Sequence, residues 1–127
     1  MSEADPIRVL VVDDQDLVRG GFKAILGTYE GIEIVGEARN GADAVQEAQR
    51  LKPDVVLMDI RMPEMRGDEF LAYLKLNELF KQIPVVMLSS EDSTSERIRL
   101  LEEGAEDYIV KPFNPQELKI RIKKILD

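Results

Sequence analysis

The sequence has no cysteine and no histidine. Without cysteine there is no disulfide framework, no thiol nucleophile and no cysteine-ligated metal. Without histidine there is no Ser-His-Asp triad, no His-ligated zinc and no imidazole general base. Chemistry therefore falls to carboxylates, lysine, hydroxyls and backbone. Positive charge is also scarce: 17 Lys and Arg stand against 25 Asp and Glu, a net charge of −8. Such a balance repels nucleic-acid phosphates, so no direct nucleic-acid binding is expected. No apolar run approaches the ~20 residues of a membrane span. The stretch from Met1 to Pro6 lacks the basic start and apolar core of a signal peptide. A cytoplasmic location away from membranes is the resulting expectation. Low-complexity tracts, linkers and internal repeats are missing as well. What remains is 127 residues, 44% hydrophobic and 33% charged, the make-up of an ordinary globular domain. Residues 1–6 read as a disordered lead and residues 7–127 as one domain.

Hydrophobic patterning alternates between two periods. Ile7 to Val12 is a β-branched run cut off by Asp13 and Asp14, as in a buried strand. Residues 15–27 place Leu17, Val18, Phe22, Ile25 and Leu26 at helical spacing, with Gly27 near the end. The alternation continues with a strand from Ile32 to Ala38, a helix from Gly41 to Leu51 and a strand from Asp54 to Met58. Then come a helix from Gly67 to about Leu79, a strand from Pro84 to Leu88 and a helix from Ser93 to Glu103 capped by Gly104. A strand from Tyr108 to Val110 and a helix from Pro115 to Leu126 complete five β-α units. Apolar strands interleaved with amphipathic helices predict an α/β fold, a doubly wound five-stranded parallel sheet covered on both faces.

In such sheets the working residues gather at the carboxyl ends of the strands. Asp13 and Asp14 follow strand one, Asp59 strand three, Ser89 and Ser90 strand four, and Lys111 strand five. Singly, each has a structural role open to it. Asp13, Asp14 or Asp16 can cap the next helix, Asp59 can sit in a turn, the serines can open a loop, and Lys111 can be a solvated charge. Together they meet one chemical demand at four strand ends. Clustered carboxylates repel, and a hard divalent cation relieves the repulsion. A carboxylate can attack phosphorus to give an aspartyl phosphate. Phosphoryl transfer needs mainly positioning and neutralisation of oxygen charge, which Mg²⁺, an ammonium and a hydroxyl supply.

At these residues the sequence resembles the receiver domains of bacterial two-component response regulators, a CheY-like, flavodoxin-like (βα)5 fold. The resemblance rests on Val11-Val12-Asp13-Asp14, on Leu57 through Gly67 with Asp59, Met62 and Pro63, on Val86 through Ser90, and on Gly104 through Phe113 with Lys111-Pro112. It implies that Asp59 accepts a phosphoryl group from a sensor histidine kinase or phosphotransfer protein. Asp13, Asp14, Asp59 and the backbone carbonyl of Arg61 would hold Mg²⁺. Ser89 would be the switch hydroxyl, Ser90 the small residue beside the phosphoryl group, Lys111 its cationic partner and Tyr108 the aromatic switch. The Lys111-Pro112 bond would be cis. Beyond self-phosphorylation and autodephosphorylation, no enzyme activity is implied. Residues 7–61 look like the NarL/FixJ type and residues 104–122 like the OmpR/PhoB type.

Two other classes fit less well. A Mg²⁺-dependent phosphatase or phosphotransferase with an aspartyl nucleophile would carry a second acid two residues on, where Arg61 stands. A flavodoxin-like FMN protein would need a phosphate-cradling loop after strand one, where Asp13, Asp14 and Asp16 would repel the phosphate. Resemblance to the OmpR/PhoB type further implies a homodimer through helix four, strand five and helix five. Its cross-copy ion pairs would be Arg97 with Glu117 and Asp107 with Arg121. Helical spacing directs Leu118, Ile122 and Ile125 of helix five towards the sheet with Ile120 opposite, and sets Ile98 and Leu101 of helix four opposite Leu100, so one of these two groups is expected to be exposed.

Overall fold

The computed structural model describes residues 6–28, 31–59, 67–76, 81–89, 94–110 and 114–125. Ten elements alternate: β1 (Ile7–Val12), α1 (Asp16–Leu26), β2 (Ile32–Ala38), α2 (Gly41–Leu51), β3 (Val55–Asp59), α3 (Gly67–Leu76), β4 (Val85–Ser89), α4 (Thr94–Glu102), β5 (Asp107–Val110) and α5 (Pro115–Ile125). The five strands form one parallel sheet in the order β2-β1-β3-β4-β5. The expected doubly wound α/β architecture is thus the observed one.

Strand side chains alternate between two apolar layers, as a period of two requires. Val9 and Val11 of β1, Val55 and Leu57 of β3, and Val86 and Leu88 of β4 pack with Phe22 and Leu26 of α1 and Leu118 and Ile122 of α5. On the other face Leu10, Val12, Val56, Met58, Val85 and Met87 pack with Ala44 and Ala48 of α2, Leu71 of α3 and Leu100 of α4. Burial on both faces explains why the central strands read as unbroken apolar runs.

Several ends are set by tertiary pairing. Asp59 and Ser89 were expected just after their strands. They are instead the last strand residues, because Asp59 pairs with Leu88 and Ser89 with Val110. Asp107, expected before its strand, opens β5 opposite Val86. Helix α1 is capped by Gln15 without a side-chain cap bond, so none of the nearby aspartates is its N-cap residue. Gly104 does end α4. At φ +111 its N–H donates to the Leu101 carbonyl and the Ala105 N–H to Leu100, a backbone state that favours glycine. The part of helix three expected beyond Leu76, and Ser93 and Leu126 at the edges of two other helices, lie outside the described residues.

Candidate functional site at the carboxyl edge of the sheet

Strand order places β1 beside β3 and β3 beside β4, so the carboxyl ends of these three strands are neighbours. Asp13 follows β1 directly. Its N–H extends the ladder to the Ala38 carbonyl at 3.1 Å, and its side chain is buried, with Oδ1 accepting from the Gln15 N–H at 3.0 Å. Asp14 is exposed and Asp59 half-buried. Carboxylate oxygens of Asp13, Asp14 and Asp59 all lie within 4.8 Å of one another. Such a set is electrostatically costly without a counter-charge. All its donors are hard oxygens, the class Mg²⁺ prefers. Two oxygens on opposite sides of Mg²⁺ stand about 4.2 Å apart, twice its bond length, so only a slight contraction separates the cluster from an ion's ligand shell. The residues fit the cation.

Ser89, buried at the end of β4, lies one position beyond the Leu88 partner of Asp59. Tyr108 in β5 is buried opposite Met87, and the guanidinium of Arg97 from α4 sits 5.5 Å from its ring centroid, within cation–π range. Arg61, Ser90 and Lys111, with the Lys111-Pro112 bond, lie outside the described residues.

Patterning alone gave no role to Arg19. It is buried, its Nη1 donates to the Asp13 carbonyl oxygen at 2.7 Å, and its Nε donates to Glu37 Oε1 at 3.2 Å. Lys23 donates to Glu37 Oε2 at 3.0 Å. The Lys23 hydrogen bond, with help from Arg19 and against a smaller effect of burial, holds the Glu37 carboxyl below its ordinary value of 4.5. The available signal was one of position: an arginine one helical turn past the acidic pair and on the sheet-facing side.

Away from the acidic edge, Arg121 of α5 bridges two acids of its own chain. Its Nη1 donates to Asp107 Oδ1 at 2.8 Å and its Nη2 to Glu117 Oε1 at 2.8 Å. Among the described residues, no helix is long and apolar enough to cross a membrane.

Fold and pocket together define a doubly wound α/β domain with a carboxylate cluster at the carboxyl edge of its sheet. A family model of the response regulator receiver domain matches residues 9–123. The response regulator protein VraR of Staphylococcus saprophyticus is 40% identical over 119 residues, which cover 94% of this chain and 56% of VraR. The chain therefore spans about half the length of that relative. The response regulator domain of Thermotoga maritima CheB superposes with a TM-score of 0.84 at 36% identity, covering 94% of this chain and 95% of that one. A chain of the CheX–CheY–BeF3–Mg²⁺ complex of Borrelia burgdorferi superposes with a TM-score of 0.88 at 29% identity, covering 97% and 91%. The chain belongs to the response regulator receiver domain family of two-component systems, whose function is phosphoryl acceptance.

Proposed function

We propose that Asp59 is the phosphoryl acceptor of a Mg²⁺-dependent switch. The observation that carries this is the meeting of Asp13, Asp14 and Asp59 within 4.8 Å at the carboxyl edge. A carboxylate oxygen of Asp59 attacks phosphorus, the bond from phosphorus to the donor's nitrogen or oxygen breaks, and an aspartyl phosphate forms. Asp13, Asp14, Asp59 and the Arg61 carbonyl would hold Mg²⁺, which neutralises charge on the phosphoryl oxygens when bound. Lys111 pairs with one phosphoryl oxygen, the Ser89 hydroxyl donates to another, and Ser90 leaves room for the group. The donor is a sensor histidine kinase or a phosphotransfer protein. The chain's own catalysis is limited to taking up and hydrolysing the phosphoryl group.

The switch runs through population shift. Ser89 drawn towards the phosphoryl group frees space for Tyr108, whose ring Arg97 of α4 already contacts. The state so favoured associates through α4, β5 and α5, with Arg97 pairing Glu117 and Asp107 pairing Arg121 between copies. This surface is of OmpR/PhoB type, whereas residues 7–61 are of NarL/FixJ type. Residues 7–127 act as one receiver domain, in the cytoplasm and without binding nucleic acid.

Incubation with acetyl phosphate and Mg²⁺ is expected to add one phosphoryl group by intact mass. Asp59→Ala is expected to remain unlabelled. Equal labelling of that variant rejects the acceptor assignment.

A further inference from the structure

Beneath the acidic pocket lies a second charged cluster that the phosphoryl chemistry does not use. Arg19 in the first turn of α1 and Lys23 in its last turn both reach Glu37 near the end of β2. Arg19 is buried, its side chain only 9% exposed. Burying a guanidinium is unfavourable unless its hydrogen bonds are met. One of them goes to the backbone carbonyl of Asp13, the residue that places a buried carboxylate in the pocket. Another goes to Glu37, the penultimate residue of β2, and Lys23 holds that carboxylate from its other oxygen.

We infer that Arg19 is a positioning residue, anchored by Glu37, which fixes the Asp13 backbone and thereby sets the affinity of the pocket for a divalent cation. The inference rests on the cation reading of the Asp13, Asp14 and Asp59 cluster. The chain after β1 must turn into α1 while holding Asp13 and Asp14 towards Asp59. Asp13 is tied to β2 through its N–H on Ala38 and to its own turn through Oδ1 on the Gln15 N–H. Its carbonyl is the remaining backbone group, and Arg19 binds it at 2.7 Å. The planar guanidinium reaches Asp13 and Glu37 at once, which a lysine ammonium of shorter reach does not reproduce. Groups that orient metal-holding residues typically change metal affinity by about 10–100-fold when removed.

Charge alone makes the opposite prediction for one variant. Arg19 is positive, so its field opposes a cation, and Arg19→Gln would then bind Mg²⁺ more tightly. Positioning predicts weaker binding. Isothermal titration with Mg²⁺ separates the two, run well below the melting temperature of each variant as checked by circular dichroism. Arg19→Gln is expected to weaken Mg²⁺ about tenfold. Arg19→Lys, which keeps the charge and loses the fork, is expected to weaken it several-fold, and Glu37→Gln likewise. Arg19→Gln combined with Glu37→Gln is expected to be no worse than Arg19→Gln alone, because both act through one contact. Should Arg19→Gln fail to fold, Arg19→Lys carries the test. Mg²⁺ affinity at or above wild type in Arg19→Gln or Arg19→Lys, with only the melting temperature lowered, overturns the positioning role. Absence of Mg²⁺ binding by the wild type would instead remove the cation reading itself.

Discussion

At the residue scale, Asp13 carries two opposed effects. Its buried carboxylate faces those of Asp14 and Asp59, yet it also accepts the Gln15 N–H. Two charges about 5 Å apart repel by roughly 3 kcal/mol at an effective dielectric of 20, before solvent screening reduces the figure. A backbone hydrogen bond contributes about 1 kcal/mol. The repulsion is larger than that one hydrogen bond. Asp13→Asn, which removes charge and keeps an acceptor for Gln15, is expected to raise the melting temperature without Mg²⁺ by about 3–6 °C. Millimolar Mg²⁺ is expected to raise wild type and leave this variant almost unmoved. A thermal melt series with and without Mg²⁺ checks both, and an unstabilised Asp13→Asn would show that the carboxylates do not strain the fold. Glu37 gives a pH dependence of known sign. Its pKa is lowered in the folded chain, so the stability it contributes is present above about pH 4.5 and is lost as pH falls through the lowered value. Melting curves of wild type and Glu37→Gln are expected to differ at neutral pH and to converge in acid. Curves separated equally at all pH values would rule out the linkage.

At the element scale, α4 shows how far periodicity carries. Helical spacing set Ile98 and Leu101 opposite Leu100 without choosing which side is buried. The structure buries Leu100 fully and leaves Ile98 at 50% and Leu101 at 42% exposed. The choice follows from packing: Leu100 joins Met87 and Tyr108 under the sheet. Leu100→Ala is expected to cost about 2–5 kcal/mol by cavity formation, and Ile98→Ala under about 0.5 kcal/mol as a surface change. Urea denaturation of the two variants measures the difference, and similar midpoints would mean that the buried face of α4 is misassigned. In α5 the side expected to face the sheet is the buried one, with Leu118 and Ile122 inside, Ile125 packed against them and Ile120 outside. Strand ends were less legible. Whether Asp59 and Ser89 close a strand or open a loop depends on the neighbouring strand that accepts their backbone bonds, and no local pattern encodes that.

At the scale of the whole molecule, the charged face of α4, β5 and α5 is engaged within the chain. Arg121 holds both Asp107 and Glu117, and Arg97 lies over Tyr108. The Arg121–Glu117 pair is exposed and the Arg121–Asp107 pair half-buried, and solvent-exposed pairs contribute only about 0–1 kcal/mol. Exchanging them for pairs to a second copy therefore costs little, provided apolar surface is buried in the same event. Ile98, Leu101 and Ile120 supply such surface. Sedimentation is expected to show a monomer in the resting state and a dimer with beryllofluoride and Mg²⁺. Arg121→Glu is expected to abolish the dimer. A monomer under both conditions at high concentration, or a dimer indifferent to Arg121→Glu, would exclude this interface.

The order of elements, the two apolar faces of the central strands and the identity of the residues at the strand ends were all readable along the chain. Each depends on spacing over a few residues, where backbone period and side-chain type are enough. The tertiary structure alone decided the rest. It set β1 beside β3, which joins Asp13 and Asp14 to Asp59 across a long stretch of chain. It buried Arg19 under Asp13, although an arginine in an amphipathic helix reads as a solvated charge. It gave Arg121 two acids of its own chain, Asp107 and Glu117. In each case the outcome depends on which groups desolvate together in space, and charge pairing between distant segments has no signature in local periodicity.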